Sequence, residues 1–226
     1  MYCTIDHLRI PEGMTCIIGS GGKTSFLRYL SERLPGTVIL TTTTHMFPFQ
    51  GIPLLNTARD PKGLPGKIRD SLGQNKAVCL GNLLPEGKLS SPSDAIPLEE
   101  LLSLADYVLV EADGSRQLPL KAHRETEPVI PPCASLTIGI AGASGIGRPL
   151  REVCHCPEIF AALAMMEEDQ TVQPEHIARV LNREDLADLY LVNQTDALAD
   201  PRQALKLCAL IRKKAFAGSL RTGSFL

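Results

Sequence analysis

Residues 15–34 read TCIIGSGGKTSFLRYLSERL, and this stretch decides the fold. An apolar run meets a glycine-rich turn, a Lys-Thr pair follows at once, and a helical spacing of apolar residues then begins. These are the parts of a P-loop, in which backbone N–H groups surround phosphate, the lysine neutralises it and the hydroxyl reaches magnesium. We therefore predict that the phosphates of a nucleotide are bound by Gly19, Ser20, Gly21, Gly22, Lys23 and Thr24.

The match to the common motif G-x-x-x-x-G-K-[ST] is incomplete, because position 17 is Ile17 where that motif has glycine. The shorter form G-x-G-G-K-T is closer to the phosphate loops of ATP-dependent ligases of the Mur type. The alternative interpretation is an ordinary glycine turn with an exposed Lys23. The glycines, the Lys-Thr pair and the flanking pattern together favour phosphate binding.

The composition bounds the size and the class of the protein. A chain of 226 residues with 44% hydrophobic and 21% charged residues can bury a core as one large α/β domain. We predict a single nucleotide-binding domain over residues 1–226, with a helical elaboration near 148–185. A formal net charge of -2 gives no reason to expect nucleic acid or an anionic membrane as a partner.

The cysteines and the termini indicate the compartment. Seven irregularly spaced cysteines suit reduced thiols better than a disulfide framework. No apolar run is long enough to span a bilayer, and the first ten residues, MYCTIDHLRI, lack the apolar core of a signal peptide. We expect a cytoplasmic protein.

Strand-like and helix-like segments alternate almost throughout, which is typical of a parallel sheet covered by helices. We predict an α/β fold of the P-loop NTPase type, with a mostly parallel sheet flanked by helices on both faces. Strands are predicted at 37–42, 77–80, 107–111, 136–141, 188–192 and 216–220, helices at 61–72, 97–104, 157–183 and 201–214, and loops at 81–92 and 115–133.

Acidic residues end the apolar strand YVLVE, in the way that the acid of a Walker B segment does. A carboxylate there can hold magnesium or orient an attacking nucleophile. We predict catalytic roles for Lys23, Glu111 and Asp113, and a Mg²⁺ site formed by Thr24 and Asp113. The alternative is a strand end that turns into solvent at Asp-Gly.

Polar residues also follow two other predicted strands. Thr43, Thr44 and His45 lie after the second strand, where they either contact substrate, phosphate or metal or simply form a strand end with a surface histidine. Asn193 and Asp196 belong to the stretch NQTD, which resembles the guanine-reading motif N-K-x-D of GTPases. We predict that these two residues contact the nucleotide base, with ATP and GTP both open. An Asn/Asp-rich turn between strand and helix is the alternative.

The tripeptide Cys154-His155-Cys156 carries soft metal ligands at a tight spacing, with no second cysteine pair nearby in the sequence. A structural zinc site is therefore not expected. Reactive thiols and partly buried residues both remain open.

The combination of GSGGKT, TTTTHM, VEADGSRQLPLKAH, the glycine-rich turn before HCPE, and LVNQTD closely resembles the YqeC proteins. These are described as accessory proteins of selenium-dependent molybdenum hydroxylases and as selenium cofactor biosynthesis proteins. The resemblance covers nearly the whole chain, from Asp6 to about Leu220. It implies a P-loop nucleotide-binding fold, a cytoplasmic setting, and a role in maturing a selenium- or molybdenum-containing cofactor.

Carried over by position, the resemblance marks further residues as typical of the family. Besides the phosphate loop and the acidic strand end, it implies substrate-binding roles for Thr43, Thr44, His45, Ser115, Lys121 and His123. The chain departs from the family at Cys156, where the family usually has arginine in His-Arg-Pro-Glu. An anion-binding contact is either lost there or replaced by a thiol.

Three functions fit these observations. The first is an NTP-dependent enzyme that uses ATP or GTP with Mg²⁺ to activate a second substrate. The second is a nucleotide-switched accessory protein that docks on the hydroxylase or on a cofactor-maturation protein. The third is a non-catalytic carrier of a phosphorylated cofactor of the molybdopterin type, in which the loop is only an anion site.

Overall fold

The computed structural model describes residues 8–59 and 63–226. Its central element is the strand β1 (Gly13–Gly19), which is buried almost throughout and leads into the glycine turn. The remaining strands are β2 (Val38–Thr42), β3 (His45–Met46), β4 (Leu54–Asn56), β5 (Ala77–Leu83), β6 (Leu89–Ser90), β7 (Tyr107–Glu111), β8 (Leu120–Lys121), β9 (Ala134–Gly142), β10 (Cys154–His155), β11 (Leu189–Asn193), β12 (Lys214–Ser219) and β13 (Ser224–Phe225).

Within the described residues, eleven strands form one sheet in the order β13-β12-β11-β9-β1-β7-β2-β5-β6-β3, with β4 beside β5. The pairs from β12 to β5, and the pair of β4 with β5, are parallel; β13, β6 and β3 add antiparallel edges. The predicted α/β class with a mostly parallel sheet is confirmed. Because β1 pairs directly with β7, the glycine turn and the acidic strand end lie side by side.

The helices are α1 (Lys23–Arg33), α2 (Leu64–Gln74), α3 (Leu150–Val153), α4 (Pro157–Ala164), α5 (Pro174–Glu184) and α6 (Arg202–Leu210). The region predicted as a helical elaboration contains α3, α4 and α5, and Pro174 begins α5 at its first position. No helix among the described residues is long and apolar enough to cross a membrane.

Alternate side chains of the central strands enter two different cores, because successive residues of a strand point to opposite faces of the sheet. Ile17 and Leu109 pack with α1, whereas Val108 and Val110 pack in the core that contains residues of α2, α5 and α6. Helices therefore cover both faces of the sheet, as the alternating pattern predicts.

Some predicted segments differ from the structure. Residues 81–92, predicted as a loop, contain a hairpin between β5 and β6, because Gly87 supplies the positive φ of 80° that the turn requires. The predicted helix 97–104 is a short 3-10 helix, Leu98–Ser103, and the predicted loop 115–133 contains β8. The last helix ends at Leu210, since Lys214 already pairs with β11. The start of the helix predicted at Pro61 lies outside the described residues.

Candidate functional site

The phosphate loop (residues 19–24) connects β1 to α1 and presents unpaired backbone donors. Within the part of the chain that the structure describes, the N–H groups of residues 21–25 have no acceptor, and the first helical hydrogen bond runs from Phe26 N–H to the Gly22 carbonyl. The first N–H groups of a helix are free to bind an anion, and the helix dipole favours negative charge there. The turn thus has the geometry of a phosphate site.

Glycine is required in this loop for two physical reasons. Gly19 and Gly21 have φ angles of 87° and 94°, which L side chains rarely adopt. A Cβ on Gly19 would also clash with the Ile140 carbonyl oxygen, and one on Gly21 with Gly142. The loop therefore presses against β9, which explains why it is rich in glycine although position 17 lacks the glycine of the common motif.

Ser20 was predicted to bind phosphate and Asn193 to contact the base, but both side chains instead stabilise the conformation of the loop. Ser20 donates its N–H to the Ile140 carbonyl over 2.8 Å and its hydroxyl to the Leu118 carbonyl. Asn193 donates from Nδ2 to the Gly21 carbonyl over 2.7 Å and accepts the Leu220 N–H at Oδ1 over 3.0 Å. The side chains of Ser20 and Asn193 are thus occupied by the protein and act as braces.

Lys23 lies under the loop and its side chain is buried. Its Nζ donates to the Gly19 carbonyl over 2.7 Å and lies 4.0 Å from Glu111 Oε1. It also lies 2.9 Å from Asp113 Oδ1, an ion pair without hydrogen-bond geometry. The ammonium group is therefore positioned at the base of the phosphate loop.

Asp113 is fully buried beneath the same loop. Its Oδ2 accepts the Gly19 N–H over 2.7 Å and lies 2.8 Å from His123 Nε2 and 3.4 Å from Lys121 Nζ. Burial acts to raise the pKa of Asp113, but Lys23, His123 and Lys121 outweigh it and bring the pKa down to about 2. The predicted role of Asp113 as a magnesium ligand does not fit this placement, because the cations and the Gly19 N–H occupy its oxygens.

The ionic contacts continue away from the loop. His123 Nδ1 lies 2.8 Å from Glu184 Oε2, at the end of α5, and Lys121 Nζ donates to Glu127 over 2.7 Å. Burial lowers the pKa of His123, but hydrogen bonds to Asp113 and Glu184 outweigh it and raise the pKa to about 9. We call Asp113, Lys121, His123, Glu127 and Glu184 the buried ion network.

Glu111 faces the open side of the same strand end. Its Oε2 accepts the Thr24 hydroxyl over 3.0 Å, and both residues line a cavity. Burial is the main cause of the raised pKa of Glu111, which the charge of Lys23 partly offsets. Among the residues predicted to bind magnesium or catalyse, Thr24 and Glu111 are therefore the adjacent oxygen donors that reach the cavity.

Two cavities open on the loop and share Gly22, Thr24, Ser25 and Gln194. The first cavity has a volume of about 860 Å³ and the second of about 910 Å³. Predicted site residues that line the first are Gly21, Gly22, Lys23, Thr24, His45, Glu111 and Ser115, and those that line the second are Gly22, Thr24, Asn193 and Asp196.

The predicted substrate residues divide between the first cavity and the protein interior. Ser115 and His45 line that cavity, whereas Lys121 and His123 belong to the buried ion network. The Thr43 hydroxyl donates to the Val129 carbonyl over 2.7 Å, and so braces the strand end. Thr44 donates its N–H to the Thr42 hydroxyl over 3.0 Å, within its own turn. Direct substrate contact by Lys121 and His123 does not fit this burial.

Asp196 lines the second cavity, beside the loop that follows β12. Its carboxylate accepts hydrogen bonds from the Arg221 guanidinium, including Nε over 2.8 Å. A hydrogen bond from Ser219, reinforced by Arg221, lowers the pKa of Asp196. Gln194, at the lysine position of the GTPase motif, accepts the Ser144 hydroxyl over 2.6 Å and does not reach across the cavity as that lysine does.

The two cysteines of the tripeptide 154–156 are buried, whereas His155 between them is half-buried. Burial raises the pKa of the Cys154 thiol well above its usual range, which disfavours the thiolate. Cys156 precedes Pro157 with a φ of 62° and is buried at the start of α4. Cys156 is absent from the lining of either cavity, whereas His155 lines the first. Among the described residues no cluster of three or more His, Cys, Asp or Glu is arranged for a metal.

Several cavity residues were not predicted as site residues. Arg116, Arg124, His155 and Lys88 line the first cavity, and Arg221 lines the second. The sequence does show a group of basic residues in the stretch 115–133, which could have indicated an anion-binding surface. Nothing in the local pattern distinguished those that face the cavity from those that are buried.

The family model described as YqeC protein matches residues 15–158, a range that contains the phosphate loop, the acidic strand end and most of the buried ion network. A similar protein is the "Uncharacterized protein YqeC" of Escherichia coli (strain K12), which is 36% identical over 164 residues. That alignment covers 70% of this chain and 62% of the Escherichia coli protein, so the chain matches less than two thirds of that relative's length.

Proposed function

The chain belongs to the YqeC protein family, and on that premise we propose that it is an ATP- or GTP-binding, Mg²⁺-dependent accessory enzyme. Its role would be in maturing a selenium- or molybdenum-containing hydroxylase cofactor. One observation carries the nucleotide part: the unpaired N–H groups of residues 21–25 lie at the helix start beside the first cavity. The hydroxylase part rests on the resemblance to the family.

In this proposal the phosphate loop binds the nucleotide phosphates through its backbone. The N–H groups of residues 21–25 would donate to the phosphate oxygens, and the start of α1 adds a favourable dipole. Lys23 is already oriented by Gly19 and Asp113, so it needs little reordering to neutralise phosphate charge. Such preorganised donors stabilise the charge that develops during phosphoryl transfer.

The residues present fit a magnesium ion that is bound together with the nucleotide. The Thr24 hydroxyl and the Glu111 carboxylate are hard oxygen donors 3.0 Å apart on the cavity wall. Mg²⁺ in nucleotide sites commonly takes one or two protein oxygens and completes its shell with phosphates and water. The ion would supply charge neutralisation on the phosphate oxygens, and Glu111 replaces Asp113 as the proposed acidic ligand.

The second substrate would occupy the rest of the first cavity. His45 and Ser115 line this space and remain candidates for substrate contact. Lys121 and His123 take a different role, because they fix Asp113 and so fix the position of Lys23 under the loop. In this proposal His45 and Ser115 contact the second substrate, whereas Lys121 and His123 support the phosphate loop.

Nucleotide hydrolysis tests the proposed activity. Phosphate release from ATP and from GTP is measured with the purified protein, with and without Mg²⁺, and again with a selenium-dependent molybdenum hydroxylase added. The proposal expects Mg²⁺-dependent release by the protein alone, abolished in Glu111→Gln. Thr43→Val serves as the control, because among the described residues the hydrogen bond of the Thr43 hydroxyl goes to the Val129 carbonyl. Hydrolysis that is absent under every condition would remove the enzymatic proposal.

A nucleotide-switched accessory protein is the second candidate, and one observation favours it. The residues under the loop connect Lys23 through Asp113 and His123 to Glu184, the last residue of α5. Occupation of the loop can therefore bias the helical region through direct contacts. This candidate expects hydrolysis that becomes measurable only when the hydroxylase or a maturation protein is added.

A further inference from the structure

The first cavity carries an excess of basic side chains apart from Lys23. Arg116, Arg124 and His155 line it, and they come from the segments after β7 and from β10. Its acidic lining consists of Glu86 and of Glu111, which Thr24 already binds. Lys88 also lines this cavity, so three permanent cations besides Lys23 face only these two carboxylates in its lining.

The two guanidinium groups have no partner among the residues that the structure describes. Within residues 8–59 and 63–226, the side chains of Arg116 and Arg124 make neither a hydrogen bond nor an ion pair. By contrast, Arg221 binds Asp196 and Arg148 binds Glu152. An arginine fork that lines a cavity without a partner is suited to bidentate binding of a carboxylate or a phosphate.

The backbone at Arg116 is held in an uncommon conformation. Arg116 and Gln117 have φ angles of 49° and 62°, in the left-handed region that non-glycine residues rarely adopt. The Leu118 N–H donates to the Ser115 carbonyl over 3.0 Å and closes this turn, and the Leu118 carbonyl accepts the Ser20 hydroxyl of the phosphate loop. Arg116 thus lies in a turn that is hydrogen-bonded directly to the phosphate loop.

The side chains around His155 are also positively charged. Its strand β10 pairs with β8 so that His155 lies beside Lys121. Burial is the main cause of the lowered pKa of His155; the charges of Lys121 and Arg116 lower it further, Glu127 acts in the opposite direction, and Arg124 adds a smaller lowering. The imidazole is therefore kept neutral near pH 7 and can donate one hydrogen bond in a field that attracts anions.

The size of the first cavity leaves space beside the phosphates. Its volume of about 860 Å³ is near the upper end of the ~300–1,000 Å³ that small-molecule sites occupy. Asp196, the proposed base contact, lines the second cavity, which shares Gly22 and Thr24 with the first, so this proposal places the nucleotide base there. The first cavity then has room for a further ligand.

We propose that Arg116, Arg124 and His155 form an oxyanion subsite next to the phosphate loop, which holds the carboxylate or phosphate group of the second substrate. This role in the reaction rests on the proposed function, whereas anion binding by the subsite does not require a nucleotide. The second substrate is accordingly an anionic small molecule. Its charged group is held by the arginines, which leaves its reactive end to face the loop.

Calorimetric titration with two chemically different probes tests the subsite. Citrate represents carboxylates and glycerol 3-phosphate represents phosphate esters, and each is titrated into protein saturated with Mg·ADP. We expect at least one probe to bind, and the double variant Arg116→Gln/Arg124→Gln to weaken it about tenfold or more. Arg148→Gln, which removes an exposed arginine outside both cavities, should leave the affinity unchanged.

The experiment separates this proposal from the proposed function. If Mg·ADP does not bind, the nucleotide proposal fails, and the probes are then titrated into nucleotide-free Lys23→Gln protein, in which the phosphate loop is weakened as a competing anion site. The subsite is refuted if neither probe binds, or if the double variant binds both as tightly as the wild type. It is also refuted if the double variant loses nucleotide affinity to the same extent as probe affinity, because the arginines then serve the nucleotide.

Discussion

The two carboxylates at the end of β7 lie two residues apart and have opposite environments. Glu111 lines the first cavity and is bound by the Thr24 hydroxyl, whereas Asp113 is fully buried in the ion network. The pKa of Glu111 is raised mainly by burial; for Asp113 the surrounding cations overcome burial and lower the pKa to about 2. One acid is thus available for ligand chemistry and the other supports the loop. The following predictions test this division, from the largest expected change in free energy to the smallest.

Removing the charge of Asp113 should destabilise the protein most. Asp113→Asn leaves Lys23, Lys121 and His123 without their common anion, and breaking such a buried ion pair costs about 3–5 kcal/mol. The expected fall in melting temperature is about 10 °C. Thermal unfolding followed by circular dichroism measures the melting temperature, and urea unfolding measures the loss of unfolding free energy.

Glu111→Gln is the matched control, because its amide can still accept the Thr24 hydroxyl. We expect a stability loss under about 1 kcal/mol. Equal losses of unfolding free energy in Asp113→Asn and Glu111→Gln would contradict the assignment of Asp113 to loop support and of Glu111 to ligand binding.

The stability should also depend on pH through His123. The pKa of His123 is raised from 6.5 to about 9 in the folded protein, so its stabilising effect is fully present below pH 6.5 and is lost as the pH rises through about 9. A shift of this size corresponds to about 3 kcal/mol.

Unfolding free energies of the wild type and His123→Gln, measured between pH 6 and pH 10, check this prediction. The difference between the two proteins should shrink across that range, because deprotonated His123 no longer pairs with Asp113 and Glu184. A constant difference would mean that the pKa of His123 is the same in the folded and unfolded states.

Glu111→Gln should remove activity while the fold persists. The loss of its negative charge beside Thr24 weakens the proposed magnesium site, and we expect Mg²⁺-dependent phosphate release to fall about 100-fold. Steady-state assays at several Mg²⁺ concentrations measure this effect. An unchanged rate would show that Glu111 has no part in metal binding.

The smallest effect is expected at the second cavity. Asp196→Ala removes the carboxylate that would accept hydrogen bonds from a guanine edge, so GTP affinity should fall about tenfold more than ATP affinity. Competition titrations with both nucleotides measure the ratio. Arg221→Gln, which removes the partner of Asp196 but keeps the carboxylate, is the control. Equal losses for ATP and GTP would exclude base reading by Asp196.

The same two acids show why the sequence predicted the fold better than the site. The strand and the glycine turn follow from short-range patterns, and the structure places them at Gly13–Gly19 and before Lys23 as those patterns predict. Residues 111 and 113 would point to the same face of a continuing strand. However, β7 ends at Glu111, and the chain turns so that Asp113 meets the Gly19 N–H.

Long-range contacts and unusual backbone angles explain the other residues that were assigned differently. His123 is paired with Glu184, 61 residues further along the chain, and no local pattern indicates that partner. Arg116 lines the cavity from a left-handed conformation that its residue type does not favour. The sequence therefore predicts where the site lies, but it does not distinguish the buried from the exposed basic residues of the stretch 115–133.

The central claim is that the phosphate loop binds nucleotide phosphates with Lys23 beneath it. Calorimetric titration of ATP and of GTP, with and without Mg²⁺, into the wild type and Lys23→Gln tests it directly, with circular dichroism to verify the folded state of the variant. The account predicts Mg²⁺-dependent binding of at least one nucleotide to the wild type, and affinity at least about tenfold weaker in Lys23→Gln. Absence of nucleotide binding by the wild type, or equal affinity in a folded Lys23→Gln protein, would contradict it.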